Sequence, residues 1–459
     1  LIKINEIGGD AMRIDVYKST IVMLLSLCSS GVFAADSEID AIRASIEELR
    51  VEYETKIADL EQRLSVAEQN AMQGMYAAQQ AAPEPASMDT GGGQSAFNPA
   101  IGVIFQGQAW SYREDPDAFQ IPGFPLGGEA GLFSEGLSLG ETELDLSANV
   151  DDKFTAWLTA SFAVEGGETA VDIEEAWIEA TALPAGFGAR IGRFFSGIGY
   201  LNGKHAHTWD FADQPLPYQA FLANQYIDNG VQLRWLAPTN LYMEFGGELF
   251  QGERYPSAGS ANSGAGTYSL FANVGGDVGS DNSWLAGISY LDTKAEGRSS
   301  GNADDPLLFN GDSNLATAYF VWKWAPNGNW KTRNMIVQGE YLRQNEDGEF
   351  SSASLAPTAY DVDRDGWYLQ AVYQPIPHWR FGGRVDALSS DNPGAAFAGT
   401  PLATIGSDPQ RFSVMADWSN SEFSRLRLQF TRDESGLVDD NQWGLQYIYS
   451  IGAHGAHTF

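Results

Sequence analysis

The sequence predicts an all-β protein, a transmembrane antiparallel β-barrel of about 16 strands preceded by a short α-helical coiled coil. Three observations lead there. From Asn98 onward, apolar and polar residues alternate with a period of two in one segment after another. The connections between these segments alternate long and short, the rhythm of external loops and tight periplasmic turns. No apolar run is long enough for a spanning helix, so only a barrel, which leaves no strand edge unpaired, could cross a bilayer.

The elements follow in chain order. Met12 opens a stretch with Arg13 and Lys18 ahead of an apolar run from Ile21 to Cys28, and Val32-Phe33-Ala34 supplies small residues at the positions a signal peptidase reads. Residues 1–34 are therefore an upstream extension and a signal peptide cleaved after Ala34. Cys28 is the sole cysteine, and the mature chain has no disulfide to stabilise it. A lipidation site at Cys28 is disfavoured by the bulky Leu27 beside it. In residues 35–69, Ile39, Ile42, Ile46, Leu49, Tyr53, Ile57, Leu60, Leu64 and Ala67 recur three and four apart with one extra step of four. This is the spacing of a coiled coil with a stutter, and isoleucine at successive core positions favours three chains, hence a homotrimer. A single amphipathic helix packed elsewhere is the alternative. Residues 70–97, with Pro83, Pro85 and Gly91-Gly92-Gly93, cannot bury a core and read as a flexible linker.

Residues 98–459 form the barrel. Leu241, Met243, Phe245 and Leu249 alternate with Tyr242, Glu244, Gly246 and Glu248, and similar patterns occupy Phe154 to Val164, Ala316 to Trp324, Trp367 to Tyr373, Phe412 to Trp418 and Leu426 to Phe430. Long connections are expected near 114–136, 165–169, 199–226, 252–265, 293–313, 344–365, 388–410 and 432–441. Short ones are expected at Asp151-Asp152, Leu183 to Gly186, Ala237 to Asn240, Asn327-Gly328, Pro375 to Pro377 and Asn420 to Glu422. Sixteen strands enclose a lumen wide enough for water, so the barrel should be a channel. Phe320, Trp322, Trp324, Trp379 and Phe381 are placed for interfacial girdles. Tyr447, Tyr449, Ile451 and Ala453 share one face of a last strand ending in Phe459, which looks like the signal read by outer-membrane assembly machinery.

The net charge of −33 argues against nucleic acid as a partner. It suits either solvated loops or an acidic lumen that concentrates cations.

The stretch GRFFSGIGY, Gly192 to Tyr200, followed by a long third loop, resembles the phosphate-selective O/P-type porins. That resemblance implies a trimeric barrel in the outer membrane whose third loop folds inward to narrow the pore. Phe194 and Phe195 stand where that family tends to place lysine and proline, a departure that counts against phosphate selectivity. The segment HAHTWDFADQPLP, His205 to Pro217, is similar to proteobacterial proteins labelled zinc-regulated outer-membrane receptors. The chain is too short for the twenty-two strands and plug of a TonB-dependent receptor. The coiled coil resembles the periplasmic extension of sucrose-specific porins.

Selectivity is expected from inward charges. Glu141, Glu143 and Asp145 share a face opposite Leu144 and Leu146, and a charge on the lipid face would cost about 2–4 kcal/mol near the midplane, so the acids face the lumen. Glu244, Glu248, Glu340 and several of Asp172, Glu174, Glu175 and Glu179 extend this acidic wall. Arg380, Arg384, Arg425 and Arg427 form a basic wall roughly opposite, giving either a transverse field or pairs that stiffen the barrel. The third loop carries His205, His207, Asp210 and Asp213, donors that suit zinc or another divalent cation; ordinary loop packing is the alternative. Asp361, Asp363, Asp365 and Gly366 imitate the start of a calcium loop, but position twelve is Val372, so a surface turn is expected. No other cofactor is indicated. The only rim arrangement resembling a hydrolase is His205 or His207 near Asp210, so the chain is not expected to be an enzyme. The expected function is passive diffusion of small hydrophilic solutes, cation-preferring and linked to divalent metal. The alternative is a structural protein that holds the outer membrane to peptidoglycan through the periplasmic coil.

Overall fold

The computed structural model describes residues 99–452 apart from 166–167, 182, 260–263, 302–304 and 407. The expected signal peptide, coiled coil and linker lie outside the described residues, as do Ala453, His454, His457 and the terminal Phe459.

Period-two alternation is realised as β1 (Ala100–Ser111), β2 (Gly136–Leu139), β3 (Thr142–Asn149), β4 (Phe154–Glu165), β5 (Glu168–Ala180), β6 (Phe187–Phe195), β7 (Ile227–Leu236), β8 (Tyr242–Phe250) and β9 (Thr267–Val278). There follow β10 (Asn282–Ser300), β11 (Leu307–Trp324), β12 (Asn334–Ser351), β13 (Thr358–Ile376), β14 (Trp379–Ser390), β15 (Gln410–Ser421), β16 (Ser424–Asp433) and β17 (Asp440–Gly452). From β3 to β17 each strand pairs antiparallel with the next in sequence. β1 pairs with β17 on one side and with β2 and β3 on the other, which closes the ring. β2 and β3 are two halves of one stave, so the barrel has sixteen.

The outward face identifies the solvent. Leu233, Leu249, Leu270, Ile288, Leu369 and Leu445 are exposed on it, while their inward neighbours Gln232, Glu248, Ser269, Ser289, Gln370 and Gln446 are buried. Such an apolar exterior suits hydrocarbon, not water. Aromatic residues mark its two edges. Phe187, Trp235, Tyr242, Trp379, Trp418 and Phe423 ring the short-turn end, and Tyr268, Tyr290, Tyr341, Trp367 and Trp443 the other.

Two expected long loops prove to be strand. β10 and β11 run to Ser300 and from Leu307, and β12 and β13 run to Ser351 and from Thr358. The physical reason is visible on the outward face. Beyond Tyr290, Tyr341 and Trp367 it changes to Asp292, Lys294, Glu296, Arg343, Asp347, Glu349, Asp361, Asp363 and Asp365, so these hairpins continue past the membrane edge into water. A spanning strand needs only about 9–11 residues, whereas β10 and β13 each have 19. Asp361, Asp363 and Asp365 therefore lie on one face of β13, not in a surface turn. Arg343 pairs with Asp363 at 2.8 Å from the neighbouring strand. The expected long connection at 165–169 is also a tight hairpin, since β4 ends at Glu165 and β5 begins at Glu168.

The lumen is partly filled. Helix α1 (Leu216–Leu222) is buried at every residue. It packs with Ile121, Phe124 and Leu126 of the first loop against Leu315, Leu342, Tyr368 and Leu388 of the wall. Phe124 and Phe221 meet at 5.9 Å between ring centroids. The barrel thus carries an internal apolar core, which strand alternation does not reveal because both contributing segments are loops.

Candidate functional site in the lumen

Residues 196–226, between β6 and β7, form the third long loop, and polar side chains of the wall hold it across the interior. Glu248 accepts Gly197 N–H at 2.9 Å and a bond from the Ser196 hydroxyl at 2.5 Å. Glu340 accepts four donors: Tyr200 N–H at 2.9 Å, Leu201 N–H at 3.2 Å, and the Tyr218 and Tyr368 hydroxyls at 3.0 and 2.6 Å. Gly199, at φ +62°, permits this approach, because a Cβ there would lie 2.2 Å from Tyr218 Oη and 2.8 Å from Glu340 Oε2. Within the loop, Asn202 donates to the Ser196 and Tyr226 carbonyls at 2.8 and 2.9 Å and accepts Tyr226 N–H at 2.6 Å.

The basic wall grips the same loop. Arg380 bonds Asp210, and Arg384 and Arg411 reach Asp213 at 2.9 and 3.2 Å. Arg427 donates to Trp209 O at 2.7 Å and pairs with Asp417 at 2.9 Å, while Arg425 donates to the His207 carbonyl. Gln429 adds a bond to Asp213 at 2.7 Å. Burial alone would raise the Asp213 pKa, but Arg384, Arg411 and Gln429 more than offset it and hold the carboxyl below its usual range.

This corrects the picture of two bare walls facing across water. The four expected arginines bind the loop or its partners, and Glu248 and Glu340 bind loop donors. The physical cause is the loop itself, which brings its own carboxylates to the arginines and its backbone N–H groups to the acids. Glu244 pairs with Arg234 at 3.3 Å, and Asp145 accepts the Thr159 hydroxyl at 2.7 Å.

The expected metal set is likewise rearranged. His205 and His207 do not meet Asp210 and Asp213, which are taken by arginines. They meet wall carboxylates instead. His205 Nδ1 lies 3.4 Å from both Glu143 Oε2 and Glu174 Oε2. Its Nε2 lies 3.0 Å from Glu175 Oε2, and His207 Nδ1 is 2.9 Å from Glu143 Oε1. Burial lowers the His205 pKa, yet the surrounding carboxylates of Glu143, Glu174 and Glu175 outweigh this and keep it well above the ordinary imidazole value. A hydrolase-like His–Asp pair is not formed, since His207 faces Glu143 and Asp210 faces Arg380.

Two β-bulges build this corner. On β1, Ile104 and Gly107 are three apart, whereas their partners Glu143 and Leu139 are four apart, so the stave takes one extra residue near Glu141. On β5 the register shifts so that Thr159 opposes Glu175 and Ala160 opposes Ile173, leaving Glu174 extra. A bulge re-aims side chains, which is how successive Glu174 and Glu175 both reach one histidine. Glu141 sits in the first bulge and hydrogen-bonds Glu174. Arg411 escaped the sequence reading. Its alternation with Phe412 was the available signal, since Phe412 is exposed outward and Arg411 is buried inward.

No protein-family profile matches the chain. A protein of Aquifex aeolicus (strain VF5), described as uncharacterized, is 29% identical over 398 residues, covering 80% of this chain and 81% of its own length. Among solved structures, a loop-deletion mutant of OmpT, an outer membrane protein of Vibrio cholerae, aligns with TM-score 0.49 and 11% identity over 78% of this chain and 100% of that one. The outer membrane channel DcaP of Acinetobacter baumannii gives TM-score 0.47 and 12% identity, covering 77% and 97%. An anion-selective porin from Comamonas acidovorans gives 0.47 and 9%, covering 77% and 99%. At these scores the likeness adds nothing to what the strand pairing itself establishes.

Proposed function

We propose that this protein is a bacterial outer-membrane channel through which small hydrophilic solutes diffuse, with a preference for cations, and that it works as a homotrimer. The observation that carries the channel reading is a closed sixteen-stave barrel, apolar outside, with a loop fixed across a polar lumen. Eight staves already suffice for a barrel packed solid by side chains; sixteen leave space that the first loop and the third loop, with its short helix, narrow. A cavity of about 560 Å³, lined by His207, Lys331, His378, Arg380, Glu422 and Arg425 among others, lies at the short-turn side of the loop.

Cation preference rests on how the charges pair. Arg380, Arg384, Arg411 and Arg427 have Asp210, Asp213, Asp386, Asp417 and Asp433 within salt-bridge distance, which neutralises these four arginines, while Arg425 bonds the His207 carbonyl. The acidic corner sets Glu143, Glu175 and the Glu141–Glu174 pair, which shares one proton through its hydrogen bond, against His205 and His207, and a surplus of carboxylate attracts cations. Phe194 packs on Phe250 at 5.0 Å and Phe195 lies edge-on to His205 at 5.2 Å, so neither position offers a cation to phosphate. The test is conductance and zero-current potential in a planar bilayer under a salt gradient. A folded barrel that passes no current overturns the channel, and a potential of anionic sign overturns the cation preference. Chemical cross-linking in native outer membranes tests the trimer; bands stopping at the monomer would refute it.

A further inference from the structure

The corner at His205 has the geometry of a metal site whose donors come from two bulged staves and the loop. Its donor atoms are brought together by packing between segments, not by sequence spacing. Glu143 Oε2 and His205 Nδ1 are both buried with no hydrogen-bond partner, although they lie 3.4 Å apart and Glu174 Oε2 lies 3.4 Å from the same nitrogen. The Glu143 side chain is entirely buried. One ligand atom from each of Glu143, Glu174 and His205 lies within 4.8 Å of the other two.

Three features separate this from a plain ion-pair cluster. First, Zn–N and Zn–O bonds of about 2.0–2.2 Å in a tetrahedron put neighbouring ligand atoms about 3.3–3.5 Å apart, which is the separation of His205 Nδ1 from each carboxylate oxygen. Second, the other ring nitrogen, Nε2, is 3.0 Å from Glu175. A carboxylate on the far ring nitrogen is the arrangement that orients a metal-ligating histidine and directs its opposite lone pair at the ion. With one proton on Nε2, the Nδ1 lone pair and two carboxylate oxygens converge as acceptors that take a cation at their centre, either a proton on Nδ1 or a metal ion that displaces that proton to solvent. Third, Glu143 is itself oriented by His207 Nδ1 at 2.9 Å from its other oxygen, and Glu174 by its bond to Glu141. The ligands are thus held from outside, while Glu143 Oε2 and His205 Nδ1 face the centre without a hydrogen-bond partner.

We propose that Glu143, Glu174 and His205 bind one divalent cation of the zinc class inside the lumen, with Glu175 and His207 positioning the ligands and a fourth ligand from solvent or solute. Imidazole nitrogen with two carboxylates suits zinc, cobalt or manganese better than magnesium, which prefers oxygen alone and retains its waters. The ion would tie the third loop to β3 and β5. Its effect on current rests on the channel reading; its binding does not.

The test uses the full chain, purified in detergent, stripped with chelator and dialysed against zinc chloride or magnesium chloride, with bound metal measured by mass spectrometry and affinity by calorimetry. We expect one zinc per chain, undisplaced by excess magnesium. His205→Gln and Glu174→Gln should abolish tight binding, and Glu175→Gln should weaken it by about 10–100-fold through the lost orientation. Glu174→Gln leaves the loop's arginine and Glu340 ties intact, and heat-modifiable gel migration verifies that each variant is assembled. Cobalt(II) should give the intense visible bands of a low-coordinate site in the wild type and lose them in Glu174→Gln. No zinc taken up, or equal uptake by wild type and Glu174→Gln, overturns the site and assigns the central position to a proton on His205. In bilayers, micromolar zinc should reduce current through the wild type but not through Glu174→Gln. A barrel that binds zinc without conducting would refute the channel and leave the site standing.

Discussion

Replacing Glu340 by glutamine probes whether the third loop sets the conductance. The Glu340 carboxylate accepts two backbone N–H groups and two tyrosine hydroxyls in a buried setting. An amide has one acceptor oxygen, and its NH2 cannot accept, so about two of the four donors lose their partner. Each buried unsatisfied group costs about 1–3 kcal/mol. The sum, about 4 kcal/mol, corresponds to roughly a thousandfold shift of the loop toward release at 1.4 kcal/mol per decade. The barrel itself should survive, because its strand pairing does not pass through this side chain. Single-channel recording in planar bilayers should show larger conductance and greater open-state noise for Glu340→Gln. Heat-modifiable migration would confirm that the barrel is assembled. Conductance and noise equal to the wild type in an assembled variant would refute the idea that the Glu340 anchor positions the loop.

Gly199→Ala should act on the same anchor, since its Cβ would sit 2.2 Å from Tyr218 Oη at a φ unfavourable for alanine. A conductance rise like that of Glu340→Gln is expected, and the double variant should be less than additive. Asp213→Asn should leave Arg384 and Arg411 with only Asp386 and Asp433, at a cost toward the low end of the roughly 3–5 kcal/mol for breaking a buried pair, and should move the zero-current potential toward anions. Because the docked-state pKa of Asp213 is depressed, its stabilisation is complete above the unfolded value of about 3.9 and disappears as pH falls through the lower docked value. Conductance should therefore hold steady from neutrality to about pH 4 and rise below it, and Asp213→Asn should lack that acid step. On the outer face, Ile288→Arg, at a position 63% exposed to lipid, should lower barrel stability in urea by about 2–4 kcal/mol if it sits near the midplane. Ser289→Arg, which points inward, should not incur this lipid penalty.

Much of the barrel was legible because the bilayer imposes simple chemistry on it. Every outward residue must tolerate hydrocarbon, so Leu426, Leu428 and Phe430 against Arg425, Arg427 and Gln429 read directly as two faces. The loop rhythm gave the stave count for the same reason. At β10 to β13 the reading failed, since a polar outward face such as Asp361, Asp363 and Asp365 signals a loop if the strand is assumed to end at the membrane. The inward position of Glu143, Glu340, Arg384 and Arg427 was also legible. Their partners were not, because His205 to Glu175 and Asp213 to Arg411 are contacts between distant segments that no local spacing encodes.

Alternation and loop length alone determined that the chain closes into a wide barrel, apolar outside and charged within, because the period of a strand fixes which side chains share a solvent. Only the tertiary structure decided what those charges do. One loop folds inward and takes up the arginines with Asp210 and Asp213 and the acids with its backbone N–H groups. Two single-residue bulges, each shifting register by one, turn Glu143, Glu174 and Glu175 onto His205. A path through the lumen and a one-residue insertion are properties of packing between segments, and for that reason the histidine corner emerged from the fold and not from the spacing of its residues.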